Sequence, residues 1–194
     1  MSPPPVPIRR EIVLGRNSTV WRRLATHPAL AGTSFTAIGH DDLSGFDFSP
    51  HDRVWVFSYS RVPAENHAML ARLGAAGVAE IAYLSSSSAI VTRRTRCWEY
   101  PRVKQQAEDE ALALPNGKVL TVGLMHADAA ELPAGDNIAT SYDMLADFMR
   151  SPAWTDGDGR RRHLFRIEPR PYRTGLERAL ARLYGAALDA CGAQ

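Results

Sequence analysis

Short apolar runs alternate with stretches of helical period over the first two thirds of the chain. Ile12-Val13-Leu14, Ser34 to Ile38, Arg53 to Phe57, Val78 to Leu84 and Lys118 to Leu124 are apolar or β-branched runs of strand length. Between them, Val20 to Thr26, Pro63 to Ala76 and Tyr100 to Leu114 carry helical spacing, with Met69, Leu70 and Leu73 on one face of the second. Pro63 suits a first helical turn and Gly77 a helix end, while Pro115-Asn116-Gly117 stops the third helix and turns the chain into the next strand. Strands that alternate with helices predict an α/β fold. It is a doubly wound, mostly parallel sheet with helices on both faces, joined right-handedly, as one domain. Beyond residue 125 the alternation weakens. Ser141 to Arg150 reads as a helix, 155–159 as a loop and His163 to Ile167 as a late strand. Arg173 to Ala190 is expected to pack Leu176, Leu180, Leu183, Tyr184 and Leu188 onto the sheet as core.

Bulk properties narrow the classes without changing that picture. The 194 residues suffice for one domain, and 45% hydrophobic with 23% charged residues is a globular profile. A net charge of +2 gives no field for nucleic acid or a membrane surface, and no apolar run approaches the roughly 20 residues of a span. Residues 1–10, with Pro3-Pro4-Pro5, read as a flexible lead-in and not a signal peptide, and 11–194 as the domain. Cys97 and Cys191 form no metal pattern and point to a reduced, cytoplasmic protein. The six histidines are scattered, no triphosphate-cradling Gly-Lys-Ser/Thr loop occurs, and Arg160-Arg161-Arg162 reads as a solvated loop.

Chemistry concentrates in Trp98-Glu99-Tyr100-Pro101-Arg102-Val103-Lys104. Tyr100 and Lys104 stand four apart, on one helix face, where an ammonium beside a phenol favours the phenolate. Tyr100 is then a candidate acid/base at a hydroxyl or carbonyl carbon. Upstream, the strand at 78–84 runs into Ser85 to Ser88, with Ser87 thirteen residues before Tyr100. A strand end delivering a hydroxyl, followed by a helix with Tyr-x-x-x-Lys, resembles the short-chain dehydrogenase/reductase superfamily, over residues 11 to 125. With Tyr-x-x-x-Lys-x-x-x-Glu ending at Glu108, it looks closest to the branch acting on nucleotide sugars.

The resemblance implies a Rossmann-like domain using NAD or NADP on a small-molecule substrate, with Tyr100 as acid/base. Lys104 would lower the phenol pKa and bind the nicotinamide ribose, and Ser87 would orient the substrate oxygen, Ser86 and Ser88 being alternatives. The first loop, in such proteins Gly-x-x-Gly-x-x-Gly, here has Gly15, Ser18 and Trp21 at the matching positions. That implies a weakened cofactor site built from Gly15, Arg16, Asn17, Ser18, Asp41, Ser58 and Lys104. Arg16 stands where a ribose 2′-phosphate would favour NADP, and Asp41 or Asp42 where a ribose would favour NAD, so the preference stays open. Tyr59 is bulkier than the residues that line this place in the family. His126 reads as a loop histidine. The alternative is a binding or regulatory protein that kept the fold and lost catalysis together with canonical dinucleotide binding. The resemblance also implies homodimerisation through the helices at 63–76 and 100–114.

Overall fold

The computed structural model describes residues 8, 10–89, 99–154 and 159–192, leaving side chains at 184, 185 and beyond 186 outside the description. The expectations for the N-terminal lead-in, for Cys97, for the loop residues 155–158 and for the side chains of Tyr184, Leu188 and Cys191 lie outside the described residues.

Six strands form one sheet: β1 (Arg10–Leu14), β2 (Phe35–Ile38), β3 (Asp52–Val56), β4 (Glu80–Ser86), β5 (Gly117–Val122) and β8 (Arg161–Leu164), in the order β2-β1-β3-β4-β5-β8. Every neighbouring pair is parallel. Parallel strands are covered on both faces, and alternate residues serve the two sides. Ile12, Leu14, Val54, Val56, Ile81 and Tyr83 face α2 (Pro63–Ala75) and α3 (Glu99–Ala113). Val13, Trp55, Ala82 and Leu120 face α1 (Thr19–Leu24) and α4 (Tyr142–Arg150). Ala107 and Ala111, both fully buried, let α3 approach the sheet closely.

The N-terminal ends of the central strands carry a charge ladder. Arg53 on β3 donates to Glu11 on β1 at 2.8 Å and to Glu80 on β4 at 2.6 Å, and Lys118 on β5 donates to Glu80 at 2.6 Å. Two indole N–H groups complete the acceptors, Trp55 to Glu11 at 2.8 Å and Trp154 to Glu80 at 3.3 Å. Beside it Asp52, fully buried, is gripped through both oxygens by Arg10 at 2.8 and 2.7 Å. Burial alone would raise the Asp52 carboxyl, but the Arg10 guanidinium and the Ser49 N–H outweigh it and hold it below its usual range.

The C-terminal third departs from expectation in several places: Arg161 and Arg162 pair with β5 as part of β8 and do not form a solvated loop, and the late strand is divided between two sheets. A second, three-stranded sheet, β6 (Leu124–His126), β7 (Gly135–Ser141) and β9 (Arg166–Arg170), pairs β6 with β7 in parallel and β7 with β9 antiparallel. His126 is thus a strand residue, only 3% exposed, and not a loop histidine. The terminal helix α5 (Gly175–Gly192) does not bury its leucine stripe: Leu176, Leu180 and Leu183 are 70%, 58% and 68% exposed. Periodicity reports an apolar face; it does not report whether anything covers it.

Candidate functional site

The chain passes from β1 to β2 on one side and then returns to β3 on the other, so the strand order reverses between β1 and β3. A crevice opens beyond the carboxyl ends at such a point. Here it is a cleft of about 330 Å³. Gly15, Arg16, Asn17, Ser18, Asp41 and Ser58 line it, with His40 and Tyr59. The structure therefore gathers six of the seven residues assigned to a cofactor from sequence; Lys104 lies beyond Tyr59.

The loop's shape follows from Gly15. Its φ is +116°, and a Cβ there would stand 2.8 Å from the Ser58 nitrogen, so only glycine fits between the ends of β1 and β3. The backbone N–H groups of Gly15 and Arg16 both donate to the Ile38 carbonyl, at 2.9 and 3.0 Å. Those two donors serve β2 and not the cleft. Ser18 caps α1, accepting from Trp21 N at 3.5 Å. Trp21, in place of a packing glycine, turns its ring away from the cleft into the core, 5.3 Å from the Phe35 ring and 6.1 Å from Phe57. At the rim Arg16 pairs with Asp42 at 2.8 Å, and the same carboxylate accepts from Gly39 N at 2.8 Å. The basic and acidic groups that argue for NADP and NAD thus bind one another, while Asp41 stays exposed in the lining.

Tyr100 and Lys104 both lie on α3, beside the end of β4. The Tyr100 ring stands edge-on to Tyr59 with centroids 5.1 Å apart. At the end of β4, Ser88 Oγ donates to Ser86 Oγ at 3.0 Å. Ser87 instead anchors the strand end, its backbone N–H donating to Val122 O at 2.7 Å.

Lys104 is nearly inaccessible at 7% exposure. Its ammonium donates to the Leu84 carbonyl at 3.1 Å and sits over two rings, 4.7 Å from the Tyr59 centroid and 5.0 Å from Tyr83. Burial pushes its pKa down to about 8, with the Glu108 carboxylate opposing. The expected depression of the Tyr100 phenol by Lys104 is not found in this conformation. Burial pushes the phenol up, and the Ser86 hydroxyl opposes. The physical reason is that the ammonium spends itself on a carbonyl and two ring faces.

Behind Lys104 lies Glu108, one turn further along α3 and 6% exposed. Burial raises its carboxyl, against the Ser85 hydroxyl and Arg161, which approaches to 3.7 Å. Among the described residues, neither the hydroxyl of fully buried Tyr83 nor that of Tyr59 has a hydrogen-bond partner. Asn66, buried on α2, fixes the Ser58–Ser60 segment by accepting from Ser60 N at 2.9 Å and donating to Ser60 O at 2.7 Å. Neither role was legible in sequence, since both depend on what the fold brings opposite. Among the described residues no cluster of three metal-ligating side chains occurs, and no helix is long and apolar enough to cross a membrane.

No family model matches the sequence, and no curated protein does. Solved structures do match. One is an NAD-dependent NDP-hexosamine 5,6-dehydratase of tunicamycin biosynthesis (TM-score 0.60, 10% identity, covering 92% of this chain and 80% of that one). Another is a short-chain dehydrogenase/reductase superfamily protein from Agrobacterium tumefaciens with bound NAD (TM-score 0.59, 14% identity, 91% and 83% covered). A third is dTDP-4-dehydrorhamnose reductase from Bacillus anthracis in complex with NADP (TM-score 0.56, 10% identity, 86% and 85% covered). The chain has the Rossmann-like fold of these reductases and dehydratases.

Proposed function

We propose that this chain is an NAD- or NADP-dependent oxidoreductase or epimerase-type enzyme acting on a small molecule, with a nucleotide sugar as the substrate class. The supporting observation is one of placement. The glycine-turn cleft at the strand switch point and the Tyr100–Lys104 face of α3 open on the same edge of the sheet, and Tyr59 touches both. The sugar-nucleotide class rests on the matched dehydratase and reductase together with the Tyr-Lys-Glu spacing of residues 100, 104 and 108.

In this reading Gly15, Arg16, Asn17, Ser18, Asp41 and Ser58 hold the adenosine-diphosphate part of the dinucleotide in the cleft. The fit is closest there. The bound cofactor supplies the hydride chemistry. Tyr100 moves the proton at the substrate oxygen, with the serine cluster orienting that oxygen; Ser87 is the sequence-derived candidate and Ser86 the hydroxyl that opposes the rise of the phenol pKa. Lys104 acts once its ammonium leaves the Leu84 carbonyl for the phenol, where its charge lowers the phenol pKa.

Titration with NADH and NADPH while following tryptophan emission tests the binding half: saturable quenching by one of them is expected. Oxidation of the reduced cofactor in the presence of nucleotide-activated keto sugars tests the chemistry. Turnover is expected to vanish in Tyr100→Phe while quenching persists, and to vanish in Lys104→Ala. A second reading, a binding protein without catalysis, is favoured by the turn of Lys104 away from Tyr100. Quenching with no turnover on any such sugar, or no quenching by either nucleotide, selects it and sinks the enzyme reading.

A further inference from the structure

Tyr59 is the side chain that separates the cleft from the acid/base pair. It lines the cleft, its ring covers the Lys104 ammonium at 4.7 Å, and its edge meets the Tyr100 ring at 5.1 Å. Among the described residues its buried hydroxyl has no hydrogen-bond partner, which leaves the side chain little to hold it down beyond ring contacts. The backbone on either side is fixed. Ser58 N is bonded to Leu14 O at 3.0 Å, and Ser60 is clamped by Asn66, so both neighbours are held while the Tyr59 side chain can turn.

We propose that Tyr59 is a specificity-determining partition: with its ring over Lys104 it admits the adenosine-diphosphate part of a dinucleotide to the cleft and keeps the nicotinamide part off the lysine. The proposal rests on the dinucleotide reading above. A group approaching Lys104 from the glycine turn must displace this ring from both the ammonium and Tyr100. The open arrangement is therefore a minor population, and a ligand that needs it binds weaker by the fraction that is open. Nicotinamide then adds little to affinity in the resting protein. The ring is also what shields the ammonium from water, so opening and charging of the phenol are one event: only when Tyr59 leaves does Lys104 gain a path to Tyr100.

Calorimetric titration of the full chain with ADP-ribose and with NADH separates the possibilities. In the natural protein the two dissociation constants are expected to agree within about threefold, and Tyr59→Ala is expected to tighten NADH about tenfold relative to ADP-ribose. Tyr59→Phe keeps the ring and should behave as the natural protein. Saturation-transfer NMR on the unsubstituted protein guards against a variant that fails to fold. Adenine protons of NAD should receive saturation and nicotinamide protons far less. NADH binding ten times tighter than ADP-ribose in the natural protein, or equal saturation of both rings, overturns the partition while leaving the cofactor reading intact. Binding of neither ligand overturns the cofactor reading and the partition with it.

Discussion

The two ends of the central sheet handle buried polar groups in opposite ways. At the N-terminal end, Glu11, Arg53, Glu80 and Lys118 alternate in sign across four adjacent strands, and indole N–H groups supply the remaining donors. At the C-terminal end, Lys104 is buried against a carbonyl and two rings, and the hydroxyls of Tyr59 and Tyr83 have no partner among the described residues. Both ends bury charge, so burial alone does not distinguish a stabilising site from a working one. What differs is whether each group's bonding capacity is already used. A saturated network fixes one arrangement, whereas an unsaturated one leaves free energy to be gained by a ligand or by rearrangement.

The contrast can be broken most severely at Glu80. Replacing it with Ala strands Arg53 and Lys118 without their shared carboxylate and should cost about 3–5 kcal/mol in urea unfolding. A loss under about 1 kcal/mol would show that the ladder is ornamental.

Lys104→Met should act in the opposite sense. Burial holds the folded-state pKa near 8 against 10.5 for a free lysine. Between those values the unfolded chain binds more protons than the folded one, so stability of the natural protein should climb as pH rises through that window. The Met variant lacks this slope. It is expected to be more stable by up to about 3 kcal/mol below the window, with the advantage gone above it. Parallel denaturant curves at neutral and alkaline pH read this directly; a constant difference across the window would contradict it.

Tyr83→Phe removes a buried hydroxyl that bonds nothing among the described residues and should leave stability unchanged or raise it by about 1 kcal/mol. A loss of that size would reveal a partner, such as an internal water, and would make the two ends more alike than the structure shows.

The sheet was legible because its strands are buried on both faces and read as unbroken apolar runs between turn residues, as at Val54 to Val56 and Ile81 to Tyr83. The smaller sheet was not. Its middle strand reads Gly-Asp-Asn-Ile-Ala-Thr-Ser, in which buried Asn137 and Thr140 look like loop residues until their partners are seen. Asn137 donates to Pro133 O at 2.8 Å, and Thr140 accepts from Gly123 N at 2.8 Å. Of the candidate site, the glycine turn and the serine run could be located from spacing. The direction of the Lys104 ammonium could not, because a four-carbon stem reaches several acceptors and tertiary context selects one. Tyr59 signalled only its bulk; its position between two functional groups comes from the pairing of β3 with β4.

Trp21 replaces a glycine that in comparable loops is there for packing; its backbone N–H donates to Ser18 of the turn while its ring packs against Phe57 in the core. An indole placed there is a natural optical reporter of that turn. Its emission colour registers local dryness, so any occupant pressing on Ser18 is announced without a label, and replacing Trp55 and Trp154 with Phe would leave fewer competing signals.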